Sequence, residues 1–109
     1  MFLVDTSVWI DYFKGGEKSK LQNYFIEQGL VYINDIILTE LIPGLIHHKK
    51  VELKDGLYAL DILELDIYWD GIIELQIGNF KNGLNKMGIS DLIIAQQCLD
   101  YNIELWSLD

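Results

Sequence analysis

Short apolar runs alternate along the chain with longer stretches in which apolar residues recur every third or fourth position. Phe2, Leu3 and Val4 form the first run, wholly apolar, as suits a strand buried on both faces of a parallel sheet. Asp5 ends that run. Thr6 or Ser7 can then cap a helix whose apolar line is Val8, Trp9, Tyr12 and Phe13. Lys14-Gly15-Gly16 reads as a stop and turn. Residues 17–28 place Leu21, Tyr24, Phe25 and Gln28 at helical spacing, and Gly29 falls just past the C-terminus of that helix. A second strand occupies 30–33, with Asn34 or Asp35 as the next cap. The following helix carries Ile37, Leu38, Leu41, Ile42 and Leu45. Pro43 removes a backbone bond to the carbonyl four residues back, which predicts a kink or break around 39–44.

His47-His48-Lys49-Lys50 closes that segment on positive charge, favourable at a helix C-terminus. Residues 51–63 predict another helix on Leu53, Leu57, Leu60 and Leu63, while Leu63-Glu64-Leu65 reads alternatively as a third strand. A long helix is expected over 66–83, on Ile67, Trp69, Ile72, Ile73, Leu75, Gln76 and Phe80, against the propensity of Gly71 and Gly78. Asn82-Gly83 and Met87-Gly88 bracket a loop. Ser90 then caps a helix from Asp91 that buries Leu92, Ile93, Ala95, Cys98 and Leu99, and 103–108 is the last strand. Strands alternating with helices at this spacing predict a parallel α/β sheet with helices on both faces, in one domain over 1–109.

Composition narrows the function classes. The longest apolar runs are four or five residues, against roughly 20 for a membrane span, so no membrane role is expected. Nothing resembles a signal peptide, and the lone Cys98 cannot form an internal disulfide, so a cytoplasmic address is the simplest reading. The formal charge of −9, from 8 basic and 17 acidic residues, argues against a general nucleic-acid binder with a basic footprint. The acids can be solubilising surface, a face for a basic partner, or in part a metal site whose cation bridges to phosphate.

Four acids stand at predicted strand or helix ends. Asp5 follows the first strand, where open α/β sheets bind ligands. Glu40 lies one turn into its helix and can lean back towards the same crevice. Asp91 occupies a first helical turn, and Asp109 follows the last strand. Each has a plainer reading: Asp5 as a turn residue, Asp91 as a complement to the helix dipole, Asp109 as a chain end, whereas Glu40 in an apolar helix face costs desolvation unless paired. If they gather, oxygen-only ligation suits Mg²⁺ or Mn²⁺, and four close carboxylates need cations or a proton.

These residues carry a resemblance over nearly the whole chain. VDTSVWIDYF at 4–13, LTELIPGL at 38–45, GISDLIIAQQCL at 88–99 and ELWSLD at 104–109 resemble, in order and spacing, the PIN-domain family, specifically its VapC-like ribonuclease toxins. The resemblance implies a PIN-like three-layer α/β/α domain with a short, mostly parallel central sheet. It implies Asp5, Glu40 and Asp91 as acidic metal ligands, Asp109 as the fourth acid, and Thr6 and Ser107 as hydrogen-bonding supports. It further implies Mg²⁺- or Mn²⁺-dependent endonucleolytic cleavage of RNA, homodimers, and inhibition by a cognate antitoxin. PIN domains usually continue past the fourth acid, so the sequence ending at Asp109 implies a missing C-terminal edge strand. A catalytically impaired PIN-like binding module is the alternative, with a receiver-like signalling domain behind it.

Other residues attract plainer readings. Lys81 and Lys86, flanking the loop before Asp91, are the better candidates for RNA phosphate contact, with mere solvation as their plainer and leading explanation. His47 and His48 read as solvated surface, Cys98 as a core thiol, and Trp9, Trp69 and Trp106 as core.

Overall fold

A computed structural model of the chain describes residues 1–108, so Asp109 lies outside the described residues. They divide into two compact units, one formed by Met1–Glu64 with the segment from Ile103, the other by Leu65–Asn102.

The first unit is built on a sheet of very short strands. It contains β1 (Phe2–Val4), α1 (Thr6–Phe13), α2 (Ser19–Glu27), β2 (Val31–Ile33), α3 (Asp35–His47), α4 (Val51–Tyr58), β3 (Asp61–Ile62) and β4 (Glu104–Trp106). The strand order is β3-β2-β1-β4 and every pairing is parallel, with Leu3 opposite Tyr32 on one side and Leu105 on the other. Leu3, Val4, Val31 and Ile33 are buried, as wholly apolar runs on inner strands should be. The α/β class and the parallel sheet therefore stand as expected.

Three local expectations change. The helix at 51–63 ends at Tyr58, and the third strand is Asp61–Ile62 rather than 63–65. The Leu63 N–H donates to the Ile33 carbonyl at 2.8 Å, so these residues are recruited to the sheet ladder instead of a further helical turn. Pro43 sits inside an unbroken α3. That helix buries Ile37, Leu38, Leu41, Ile42 and Leu45, and roughly 1.5–3 kcal/mol for each such side chain outweighs the proline penalty of about 3 kcal/mol. The first cap position belongs to Asp5, with Thr6 and Ser7 already inside α1.

The second unit pairs α5 (Trp69–Lys81) with α6 (Ile89–Tyr101). Helix α5 starts three residues later than expected and ends in a paired backbone motif. The Gly83 N–H reaches the Phe80 carbonyl and the Leu84 N–H reaches Asn79, with Gly83 at φ +73°. Gly88, not Ser90, is the N-cap of α6, and no side chain caps it. Leu92, Ile93, Ile94 and Cys98 are buried along α6, but Leu99 is exposed. Burial pushes the Cys98 thiol pKa up, in keeping with a core thiol rather than a nucleophile. Trp9 is buried as expected, whereas Trp69 is exposed. No helix among the described residues is long and apolar enough to cross a membrane.

Candidate functional site

The chain runs from β1 to β2 and β3 in one direction across the sheet, then returns to place β4 on the opposite side of β1. Direction therefore reverses between β1 and β4, and the carboxyl ends of those two strands frame the crevice in which open α/β sheets take ligands. Asp5 is the first residue after β1 and Ser107 the first after β4. The two turns are tied together by the Asp5 N–H, which donates to the Trp106 carbonyl at 2.9 Å.

Asp5 is the N-cap of α1 by position, but its side chain makes no capping bond. Its carbonyl accepts from the Val8 and Trp9 N–H groups, so the backbone starts the helix without help from the carboxylate. The Ser7 hydroxyl reaches Asp5 Oδ2 at 3.3 Å, a long bond that orients one oxygen. Thr6 Oγ1, by contrast, is buried without a hydrogen-bond partner among the described residues. Asp5 is half-buried at the positive end of α1, where a carboxylate is favoured and still open to a ligand.

Glu40 lies on the exposed side of α3, six residues past the N-cap Asn34. It lines a groove of about 420 Å³ with Ile10 and Phe13 of α1, with Lys14 just past the end of that helix, and with Leu41, Leu45 and His48. His48 belongs to the basic turn between α3 and α4, so this groove is apolar inside with a basic rim. Lys14 and Lys50 on that rim are residues that sequence reasoning misses. The Lys14-Gly15-Gly16 turn and the 47–50 basic run are the signals that point to them.

In the second unit, Asp91 occupies the first turn of α6. Its carboxylate bends back towards the helix start, 3.9 Å from where a Cβ on Gly88 would stand. Lys81, the last residue of α5, and Lys86, in the following loop, are both exposed.

Among the described residues, no three His, Cys, Asp or Glu side chains come together as a group that could hold a metal ion. The donor chemistry at Asp5 nevertheless suits Mg²⁺ or Mn²⁺. It is a hard oxygen donor without capping duty, and Mg²⁺ is commonly held by one or two carboxylates with water and substrate phosphate completing its shell. Ser7 is a further residue whose part at this turn sequence reasoning misses. Its place near a helix start suggests a cap, yet a hydroxyl two positions after an N-cap carboxylate can also turn back to it.

A family model described as PIN domain matches residues 2–109. Among solved structures, the chain is similar to VapBC2 from Rickettsia felis bound to a DNA fragment from its promoter. That match has 21% identity and a TM-score of 0.74, covering 99% of this chain and 86% of the other. It is also similar to DNA-bound VapBC from Salmonella typhimurium, at 17% identity and a TM-score of 0.71, covering 94% of this chain and 81% of that one. No curated protein matches the sequence at a significant level.

Proposed function

The chain belongs to the PIN-domain family, and from that premise we propose that it is a metal-dependent endoribonuclease, the toxin of a toxin–antitoxin pair. The observation that carries this reading is Asp5 at the reversal point of the sheet, an N-cap carboxylate that leaves capping to the backbone. Asp5 is the leading ligand for Mg²⁺ or Mn²⁺. Glu40 and Asp91 are its proposed companions, and Asp109 a further one. When bound, such an ion supplies Lewis acidity at phosphate and acidifies the attacking water. Ser7 orients the Asp5 carboxylate, Ser107 is a proposed support of the same crevice, and Lys81 and Lys86 are candidate phosphate contacts.

Local positive charge from the ion answers the objection raised by a net charge of −9, since phosphate then meets a cation rather than a bare acidic surface. The similarity to VapBC complexes supports an antitoxin as a protein partner. A second copy of the chain is the other proposed partner, and the cytoplasm the proposed address. Membership of the PIN family leaves no ground for the receiver-like alternative.

The test is cleavage of structured RNAs by purified protein with Mg²⁺, with Mn²⁺ and with EDTA. Cleavage should depend on the ion and disappear in Asp5→Asn and in Asp91→Asn while both variants remain folded. Unchanged metal-dependent activity in either variant would remove that residue from the site. Wild-type protein that binds RNA but cleaves none with either ion would move the reading to a binding module.

A further inference from the structure

We propose that the groove between α1 and α3 holds an unpaired nucleotide of single-stranded RNA, with the neighbouring phosphates on its basic rim. The inference rests on the RNA-cleaving reading above and adds where the strand beside the cut lies.

Strands β1 and β2 are adjacent and parallel, so α1 and α3 leave the sheet at the same end. Asp5 and Asn34 mark that end as the two N-caps. At about 1.5 Å per residue, Ile10 lies roughly 8 Å along α1 from Asp5, and Glu40 roughly 9 Å along α3 from Asn34. Both line the groove, which extends to Lys14 and His48 just past the C-termini of these helices and to Lys50 and Leu53 at the start of α4. A strand with its scissile phosphate at the carboxylates has this groove as its continuation.

The walls suit a base. Leu41 and Leu45 are buried, Phe13 and Leu53 are half-buried, and Ile10 is exposed. Phe13 is held in place by its neighbours, its ring 6.0 Å from that of Trp9 and 6.1 Å from that of Tyr12. Unpaired bases stack on such rings and between apolar side chains whatever their sequence. Gly44 also lines the groove, inside a helix that glycine disfavours. A Cβ there would meet nothing within 4 Å, so no neighbour demands the glycine, and its effect is to widen the groove. The volume of about 420 Å³ lies within the roughly 300–1,000 Å³ of small-ligand sites.

The rim suits a polyanion. His47, His48, Lys49 and Lys50 are consecutive and exposed, in a chain with only 8 basic residues against 17 acidic. Lys14 adds a cation from the α1 side, and Glu40 is the one acid among the described residues that line the groove. A protein segment could cover the apolar walls equally well. Run of charge and continuity with Glu40 favour the ligand that already reaches the carboxylates.

Fluorescence anisotropy with a short labelled RNA in EDTA tests this, because without an ion the protein cuts nothing and the groove is read alone. Wild-type protein should bind the single strand, and its duplex at least tenfold more weakly, since pairing hides the base faces. Gly44→Leu fills the groove without touching a charge. It should weaken single-strand binding at least fivefold, the low end of the roughly 5- to 150-fold that stacking contributes per base, and leave duplex binding unchanged. Lys14→Glu with Lys50→Glu should lower single-strand affinity at least tenfold and flatten its log–log salt dependence by about 1.4, at roughly 0.7 per phosphate contact. Circular dichroism checks each fold, and the lysine variant keeps the test decisive if Gly44→Leu does not fold. No binding by wild-type protein, or equal affinity for strand and duplex, overturns the proposal. Affinity that survives both variants also overturns it and assigns the groove to a protein segment. Protein that binds RNA through the groove yet cuts none with Mn²⁺ counts against the nuclease reading alone. Protein that cuts RNA but binds it indifferently to these variants counts against this one alone.

Discussion

Two strand-to-helix turns in the first unit follow the same plan and spend one side chain differently. Each passes from a buried three-residue strand through an extended Asx residue into a helix, at Asp5 between β1 and α1 and at Asn34 between β2 and α3. Asn34 is fully buried, and its Oδ1 accepts from the Ile37 N–H at 2.9 Å. That side chain is consumed by the fold. Asp5 is half-buried and caps nothing. Position in the sheet explains the difference, because β2 lies between two strands on the side where the chain proceeds in one direction, whereas β1 borders the reversal. The same local motif is structural at one turn and available for chemistry at the next.

The largest effect should come from Asp5→Asn. The change keeps size and shape but removes the charge that a divalent cation needs. Metal-dependent RNA cleavage should fall by well over roughly 100-fold, beyond the 10–100-fold cost of losing an outer-shell partner. Stability should move by no more than about 0.5 kcal/mol, because the carboxylate makes no cap. Parallel measurement of cleavage rate with Mn²⁺ and of the urea midpoint checks both halves. A variant that is active, or one that is strongly destabilised, breaks the distinction between the turns.

Asn34→Ala should show the reverse pattern. It removes a buried cap, worth roughly 0.5–2 kcal/mol, and leaves the Ile37 N–H without its partner at a cost of about 1–3 kcal/mol. A net loss of about 2 kcal/mol should lower the melting temperature by roughly 10 °C in a domain of this size. Thermal circular dichroism reads it. A shift of only a degree or two would mean that the fold depends on Asn34 no more than on Asp5.

How much of this is legible in the sequence depends on what covers each element. Residues 2–4 announce a buried inner strand because every side chain is apolar, and Asp5 and Asn34 mark the helix starts by chemistry alone. Helices α3 and α5 show the limit. Both have thirteen residues and a helical apolar pattern, yet α3 buries five apolar side chains, enough to carry Pro43, while α5 leaves Trp69, Ile73, Ile77 and Phe80 exposed. Periodicity states that a face is apolar and cannot state which surface meets it. The two-residue β3 lies ahead of the place that apolar alternation predicts, because its residues are exposed and only the ladder to β2 defines them. Glu40 is legible as an unusual acid. Its place beside the groove between α1 and α3 depends on contacts between distant segments that no spacing rule encodes.

Ser7→Ala tests a smaller asymmetry within the Asp5 turn. If Ser7 orients the carboxylate, its removal should cost about tenfold in cleavage, the low end for an outer-shell partner, because the bond is long at 3.3 Å. Raising the Mn²⁺ concentration should recover much of the loss, since a mispositioned ligand weakens ion binding more than it alters the reaction. A loss that metal cannot rescue would place Ser7 in contact with RNA instead.

Thr6→Val should have the smallest effect, and its sign is the informative part. The Thr6 hydroxyl is buried without a hydrogen-bond partner among the described residues, whereas its neighbour Ser7 has one. Valine has nearly the same shape and removes the unsatisfied group, so stability should stay level or rise by up to about 1 kcal/mol. A urea titration of the variant resolves a change of that size. A loss of about 1 kcal/mol or more would mean that the hydroxyl is satisfied in solution. Asp5, one residue away and free of capping duty, would then be the first acceptor to examine. Its carboxylate would be held from two sides, and the turn would be fixed through its side chains just as the one at Asn34 is, with rigidity serving the site rather than the helix.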